Sequence, residues 1–135
     1  MADYLRKAGR ERVEGRMSAK DDCYRLIQVI AATQDPFCIH PGCGESSQVG
    51  HHLFKRDRKG TAFHPEAVRG LCHLHHGHAH ASPEQFKKIM LGLIGDRYYE
   101  LQRLSKSVVK GTDYIAKRTE LRGILDNFGK KAVNF

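Results

Sequence analysis

Apolar positions recur along this chain at helical spacing in four stretches, with a dense polar segment between the first and the second. Leu26, Ile27, Ile30 and Ala31 share one face of a helix predicted from Ser18 to about Ala32. Ser18 is placed to cap it, with Asp21 at the third position suiting the helix dipole. Thr33 to Pro36 ends it, because a residue before proline avoids the helical region. Ser82-Pro83-Glu84-Gln85 reads as a second start: serine cap, proline in the first turn, and glutamine closing a capping box. Phe86, Ile89, Met90 and Leu93 then line one face up to Gly95. A further helix from Asp96 to about Lys106 carries Tyr99, Leu101 and Leu104. Thr112 is expected to cap the last helix, which carries Tyr114, Ile115, Leu121, Ile124, Leu125 and Phe128, with Gly129 as its stop.

Between these helices the pattern changes. Val49 to Phe54 and Val68 to Leu71 read as short strands, joined through a basic loop over Lys55 to Gly60. A short helix is expected to begin near Cys72. The picture is an α+β chain with a metal core over 37–81 and C-terminal helices over 82–128. Residues 1–17 are poor in large apolar side chains and carry Arg6, Lys7, Arg10, Arg12 and Arg16, which predicts a basic arm ahead of a single domain over 18–135.

Composition narrows the function classes. The net charge of +8 on 135 residues points to a polyanionic partner, with nucleic acid first. No apolar run approaches the roughly 20 residues a membrane helix needs. Residues 1–20 hold no apolar leader, so a cytoplasmic location is expected, in a bacterial or phage-infected cell. Without secretion, the 4 cysteines are not expected to form disulfides. Cys23 lies on the apolar helical pattern and reads as a core thiol.

All 9 histidines fall between His40 and His80, and such a tract suggests metal binding. Cys38 and Cys43 flank a Pro-Gly turn, and Cys72 and His75 sit three apart at a helix start, with two residues between them. Two such pairs can close a tetrahedral site for a structural zinc. His40 reads as a neighbour of that site, and His73 is a weaker alternative to His75. The remaining histidines exceed what one zinc needs. His51 and His52 are adjacent, on opposite sides of a strand or on a strand bend. His76 and His80 are four apart and share a helix face. His51, His76 and His80 together make an open site for a catalytic divalent metal, Mg²⁺, Mn²⁺, Ni²⁺ or Zn²⁺. His52 then stays free as a general base for phosphodiester hydrolysis. Lys55, Arg56, Arg58 and Lys59 follow directly and are expected to contact DNA phosphates.

With Cys38-Ile-His-Pro-Gly-Cys43, Val49-Gly-His-His-Leu53 and Leu71-Cys-His-Leu-His-His76 in view, the chain resembles the HNH (ββα-metal) nuclease superfamily. The His pair and the H-x-x-x-H at 76–80 look like the nuclease domains of DNase colicins, where the first His of the pair binds metal and the second is the base. The order of parts over about residues 20–128 looks more like the phage NinG (Rap) recombination family. The resemblance implies a ββα-metal finger with a zinc knuckle flanked by amphipathic helices. It also implies a metal-dependent DNA endonuclease acting on branched or Holliday-junction DNA in phage recombination, with a second copy of the chain as an expected partner. One departure stands out. The middle Asn of the motif would fall near Ala67, and no Asn occurs between Asp22 and Asp126. His64, or after it Glu66, is the expected substitute for orienting His52. The competing class is a zinc-stapled, non-catalytic DNA-binding recombination mediator.

Overall fold

Ser18 accepts a hydrogen bond from the Asp21 N–H (3.1 Å), satisfying one of the donors that a helix start leaves open. Helix α1 runs from there over Ala19–Gln34. A computed structural model of the chain describes residues 18–133, the last five of them as backbone only. The basic arm expected over 1–17 lies outside the described residues. The other elements are strand β1 (Val49–His52), a 3₁₀ turn (Pro65–Ala67), strand β2 (Val68–Leu71), and helices α2 (His73–Ala81), α3 (Pro83–Ile94), α4 (Arg97–Ser105) and α5 (Tyr114–Val133). The fold is α+β: five helices around a two-stranded antiparallel sheet among the described residues. None of these helices is long and apolar enough to cross a membrane.

The sheet register pairs Val49 with Leu71, Gly50 with Gly70, His51 with Arg69, and His52 with Val68. The Gly50–Gly70 pair is what lets α1 lie close to the sheet. A Cβ on Gly50 would come within 3.0 Å of Ala31 Cβ and Gln28 Oε1, and one on Gly70 within 2.8 Å of the Asp35 carbonyl. Gln28 fills the gap by accepting from the Gly50 N–H (2.7 Å) and donating to the Gly50 carbonyl (2.8 Å), as a neighbouring strand would. Asp35, just past α1, accepts from both Arg69 nitrogens (2.8 and 3.0 Å) and from the Gly70 N–H (2.9 Å).

Two apolar cores flank the sheet. In the first, Cys23, Tyr24, Leu26, Ile27, Ile30 and Ala31 of α1 pack on Phe63, Val68 and Leu121. Asp22, 3% exposed, clamps α1 to α5 through Arg118 (3.0 Å). In the second, Leu71, Phe86, Met90 and Tyr98 pack beside Cys38 and Cys72. Cys23 is fully buried and donates to the Tyr114 carbonyl (3.3 Å), as a core thiol should.

Several local expectations are corrected. Ser82 makes no side-chain cap, because it ends α2 while it starts α3 and its backbone (φ −134°, ψ 70°) serves both. The last helix is capped by Asp113, whose carboxylate accepts from the Ala116 N–H (3.0 Å), and not by Thr112. It continues through Gly129, which therefore does not stop it. On the later helices Tyr98 and Leu101 are buried, whereas Leu93, Tyr99, Leu104 and Ile115 are exposed.

Candidate metal centres

The knuckle that carries Cys38 and Cys43 is built by two left-handed glycines, Gly42 (φ 78°) and Gly44 (φ 74°). The Cys43 N–H bonds to the His40 carbonyl (3.1 Å) and the Cys38 N–H to the Glu45 carbonyl (2.7 Å). A bond from the Ile39 N–H to the Gly70 carbonyl (3.0 Å) docks the knuckle on β2. Strand β2 then delivers Cys72, which caps α2 by accepting from the His75 N–H (3.4 Å).

Cys38, Cys43, Cys72 and His75 come together as a group able to hold a metal ion such as zinc. Tetrahedral zinc, with bonds of about 2.3 Å to sulfur and about 2.0–2.1 Å to nitrogen, sets its ligand atoms about 3.5–3.8 Å apart. The Cys43 and Cys72 sulfurs lie 3.9 Å apart, and His75 Nδ1 lies 3.6 Å from Cys38 Sγ and 3.2 Å from Cys72 Sγ. Burial pushes the Cys38 thiol up to about 11, so that sulfur ionises at neutral pH only with a cation beside it. The donor set and spacing thus fit zinc. His40 stacks on His75 at 3.8 Å, and His73 is exposed at the start of α2, away from this group.

His51, His76 and His80 form a second group, with one ring nitrogen from each lying within 4.8 Å of the others. Nε2 of His76 and Nε2 of His80 are 3.0 Å apart, the separation of ligands at 90° to one another with bonds of about 2.1 Å, and shorter than the roughly 3.4 Å of a tetrahedral pair. His51 is buried, edge-on to Phe86 at 5.0 Å, while His76 is half-buried and His80 exposed. One side of the group is therefore open. Burial, with His76 and His80 adding to it, pushes the His51 imidazole down to about 3, so it is neutral and fit to ligate.

A cleft of about 720 Å³ opens at this group, and His52, Lys55, Arg56, Tyr24 and Gln28 also line it. His52 Nε2 lies 3.0 Å from the Ala62 carbonyl. A carbonyl only accepts, so Nε2 carries the proton and Nδ1 keeps its lone pair in the neutral ring. Burial also lowers the pKa of His52, against the pull of that bond.

The expectation that His64 orients His52 is corrected. His64 caps the 3₁₀ turn, its Nδ1 accepting from the Glu66 N–H (3.2 Å), and Glu66 is paired with Arg97 (2.9 Å). The group holding His52 is a main-chain carbonyl. Among the expected phosphate contacts, Lys55 and Arg56 line the cleft and Arg58 is exposed outside its lining. Lys59 is committed elsewhere, donating to the Tyr24 hydroxyl (2.8 Å) among Tyr24, Phe63 and Tyr114. Gln28, Asp35 and Ala62 escaped the sequence reading. Gln28 did leave a signal, as a polar side chain four positions beyond Tyr24 at helical spacing on α1. The chain matches no protein-family model, no curated protein and no solved structure.

Proposed function

We propose that the chain is a metal-dependent DNA endonuclease of the ββα-metal type, with the Cys38, Cys43, Cys72 and His75 group as its structural zinc site. The observation that carries this reading is the meeting, at one open cleft, of three ligand-competent imidazoles with a fourth whose tautomer is fixed. A purely structural metal site has no use for an open side, nor for a neighbouring histidine with a free lone pair.

A divalent ion held by His51, His76 and His80 would supply a Lewis acid for the scissile phosphate and the departing 3′ oxygen. The protein's part is positioning and proton transfer. His52 Nδ1 accepts a proton from the attacking water, while Nε2–H stays on the Ala62 carbonyl and keeps the ring from turning. Its depressed pKa keeps the ring in the neutral, accepting form. Lys55 and Arg56 on the cleft wall hold neighbouring phosphates without reading sequence. The missing Asn is then no obstacle, because a backbone carbonyl does the orienting.

The test is cleavage of linear, supercoiled and four-way-junction DNA with Mg²⁺, Mn²⁺, Ni²⁺ or Zn²⁺. Nicking that needs added metal and His52 is the expected result, with branched DNA the favoured substrate. Metal-independent DNA binding without any cleavage would instead favour the non-catalytic mediator.

A further inference from the structure

His51 has a second cavity on its other flank. About 200 Å³ in volume, it lies between the end of β1 and the facing sides of α3 and α4. Its lining is mainly polar, with Glu84, Lys87 and Gln102 around it, and Leu53 and the largely buried Phe86 and Tyr98 form the apolar remainder. The Tyr98 ring is itself braced by Phe54 at 5.4 Å, and Lys87 Nζ lies 5.9 Å above it. The two hollows share His51, Leu53, Ala79 and Pro83, so whatever occupies the smaller one adjoins whatever sits on the histidine group.

The chemistry of the two hollows differs. The large cleft has Lys55 and Arg56 on its wall, which suits a phosphate backbone. The small cavity has a carboxylate, Glu84, which repels phosphate but accepts from an exocyclic amine. Its amide and ammonium groups suit ring nitrogens and carbonyl oxygens. It has room for one base but not for a base pair. We propose that this cavity is a subsite for a single unpaired nucleobase adjoining the scissile phosphate, and that it favours the amino-bearing bases over thymine. This rests on the endonuclease reading and adds a requirement to it: the nucleotide beside the cut bond has left the stack.

The experiment uses the full chain with its activating metal and a set of otherwise identical DNA substrates. Each carries one unpaired A, C, G or T, or an abasic residue, on either side of the cleaved bond. On one of the two sides the abasic substrate should be cut about tenfold more slowly than the unpaired cytosine or adenine, the scale expected for losing a hydrogen-bonded base edge. Gln102→Trp, which fills the cavity from a half-buried position on α4, should cut every substrate at about the abasic rate. Glu84→Gln, at an exposed position, should erase the preference against thymine. Should Gln102→Trp melt early, Gln102→Ala and the relative binding of the base-containing and abasic substrates to the wild type give the same reading. A wild type that cuts and binds abasic and base-containing substrates equally overturns the subsite while leaving the endonuclease reading intact. A wild type that cuts no DNA at all overturns both.

Discussion

Cys72→Ser separates two roles that one side chain holds. Cys72 caps α2 and belongs to the Cys₃His group, 5% exposed within the second core. Serine is among the best helix caps, so the cap survives the change, and only the thiolate is lost. The size of that loss can be worked out. A structural zinc contributes an apparent 10–16 kcal/mol or so at neutral pH, against a total stability of about 5–15 kcal/mol for a domain. One ligand in four then carries about 3 kcal/mol, which for a chain this size lowers the melting temperature by about 10 °C. Because Cys38 and Cys72 sit among Leu71, Phe86 and Met90, the damage should spread into α2 and α3.

The assay pairs thermal unfolding by circular dichroism with zinc content measured on protein purified without added metal. The wild type should carry one tightly held zinc per chain once any metal on His51, His76 and His80 is stripped by mild chelation. Cys72→Ser should still fold around a zinc held by the three remaining ligands, give that zinc up to a chelator that leaves the wild type loaded, and melt about 10 °C lower while loaded. Cys23→Ser is the control: its thiol lies in the other core, bonded to the Tyr114 carbonyl, so the zinc should stay. A wild type that purifies without metal and melts unchanged in strong chelator would refute the reasoning, as would a Cys72→Ser protein matching the wild type in both measurements.

Three other outcomes are expected. His52→Ala should slow DNA cleavage by roughly 10²–10⁴-fold with metal and DNA binding kept, whereas His76→Ala should lose the second metal by elemental analysis and keep the zinc; equal effects from the two would contradict their separate roles. Lys55→Ala with Arg56→Ala should lower the salt dependence of DNA binding by about two units of slope, while Lys59→Ala should leave the slope alone and cost stability, since Lys59 is tied to Tyr24. Asp35→Ala strips Arg69 of its partner and the Gly70 N–H of its acceptor, for about 3 kcal/mol once the partial exposure of Arg69 is allowed for, and Asp35→Asn should cost less; a melting temperature within 2 °C or so of the wild type for Asp35→Ala would count against that role.

What could be read in advance was what local spacing determines. The α1 stripe of Leu26, Ile27, Ile30 and Ala31, the strand Val68–Leu71, the two ligand pairs of the Cys₃His group and the i, i+4 histidines of α2 all follow from short-range periodicity. What was misread depends on partners far along the chain. Ile115 and Leu93 have the periodicity of core residues, but the core is supplied by Leu121 on α5 and by Phe86 and Met90 on α3, and both stay exposed among the described residues. Lys59 looked like one more cation in a basic run until folding brought Tyr24 and Tyr114 around it. The Ala62 carbonyl could not be read at all, since every residue has one. Its role comes from a loop that returns ten residues later to the ring of His52.

The two histidine-bearing sites are not independent, and helix geometry says why. His75 and His76 are neighbours on α2, so their side chains leave the axis about 100° apart, at 3.6 residues per turn. One turns to the knuckle and the other to β1. The Cys₃His group therefore fixes the rotation of α2 about its own axis, through Cys72 and His75 at its first turn. That rotation decides whether His76, and His80 one turn on, meet His51. On the sheet side, Gln28 holds Gly50 and Asp35 holds Gly70, which sets the height of β1 against the same helix. Both constraints are needed for three ring nitrogens to converge within 4.8 Å. The Cys₃His residues thus act on the open site by orientation, with no shared atom, and a change at Cys38 or Cys43 should be felt at His80 before it is felt in α5, which packs on the other core.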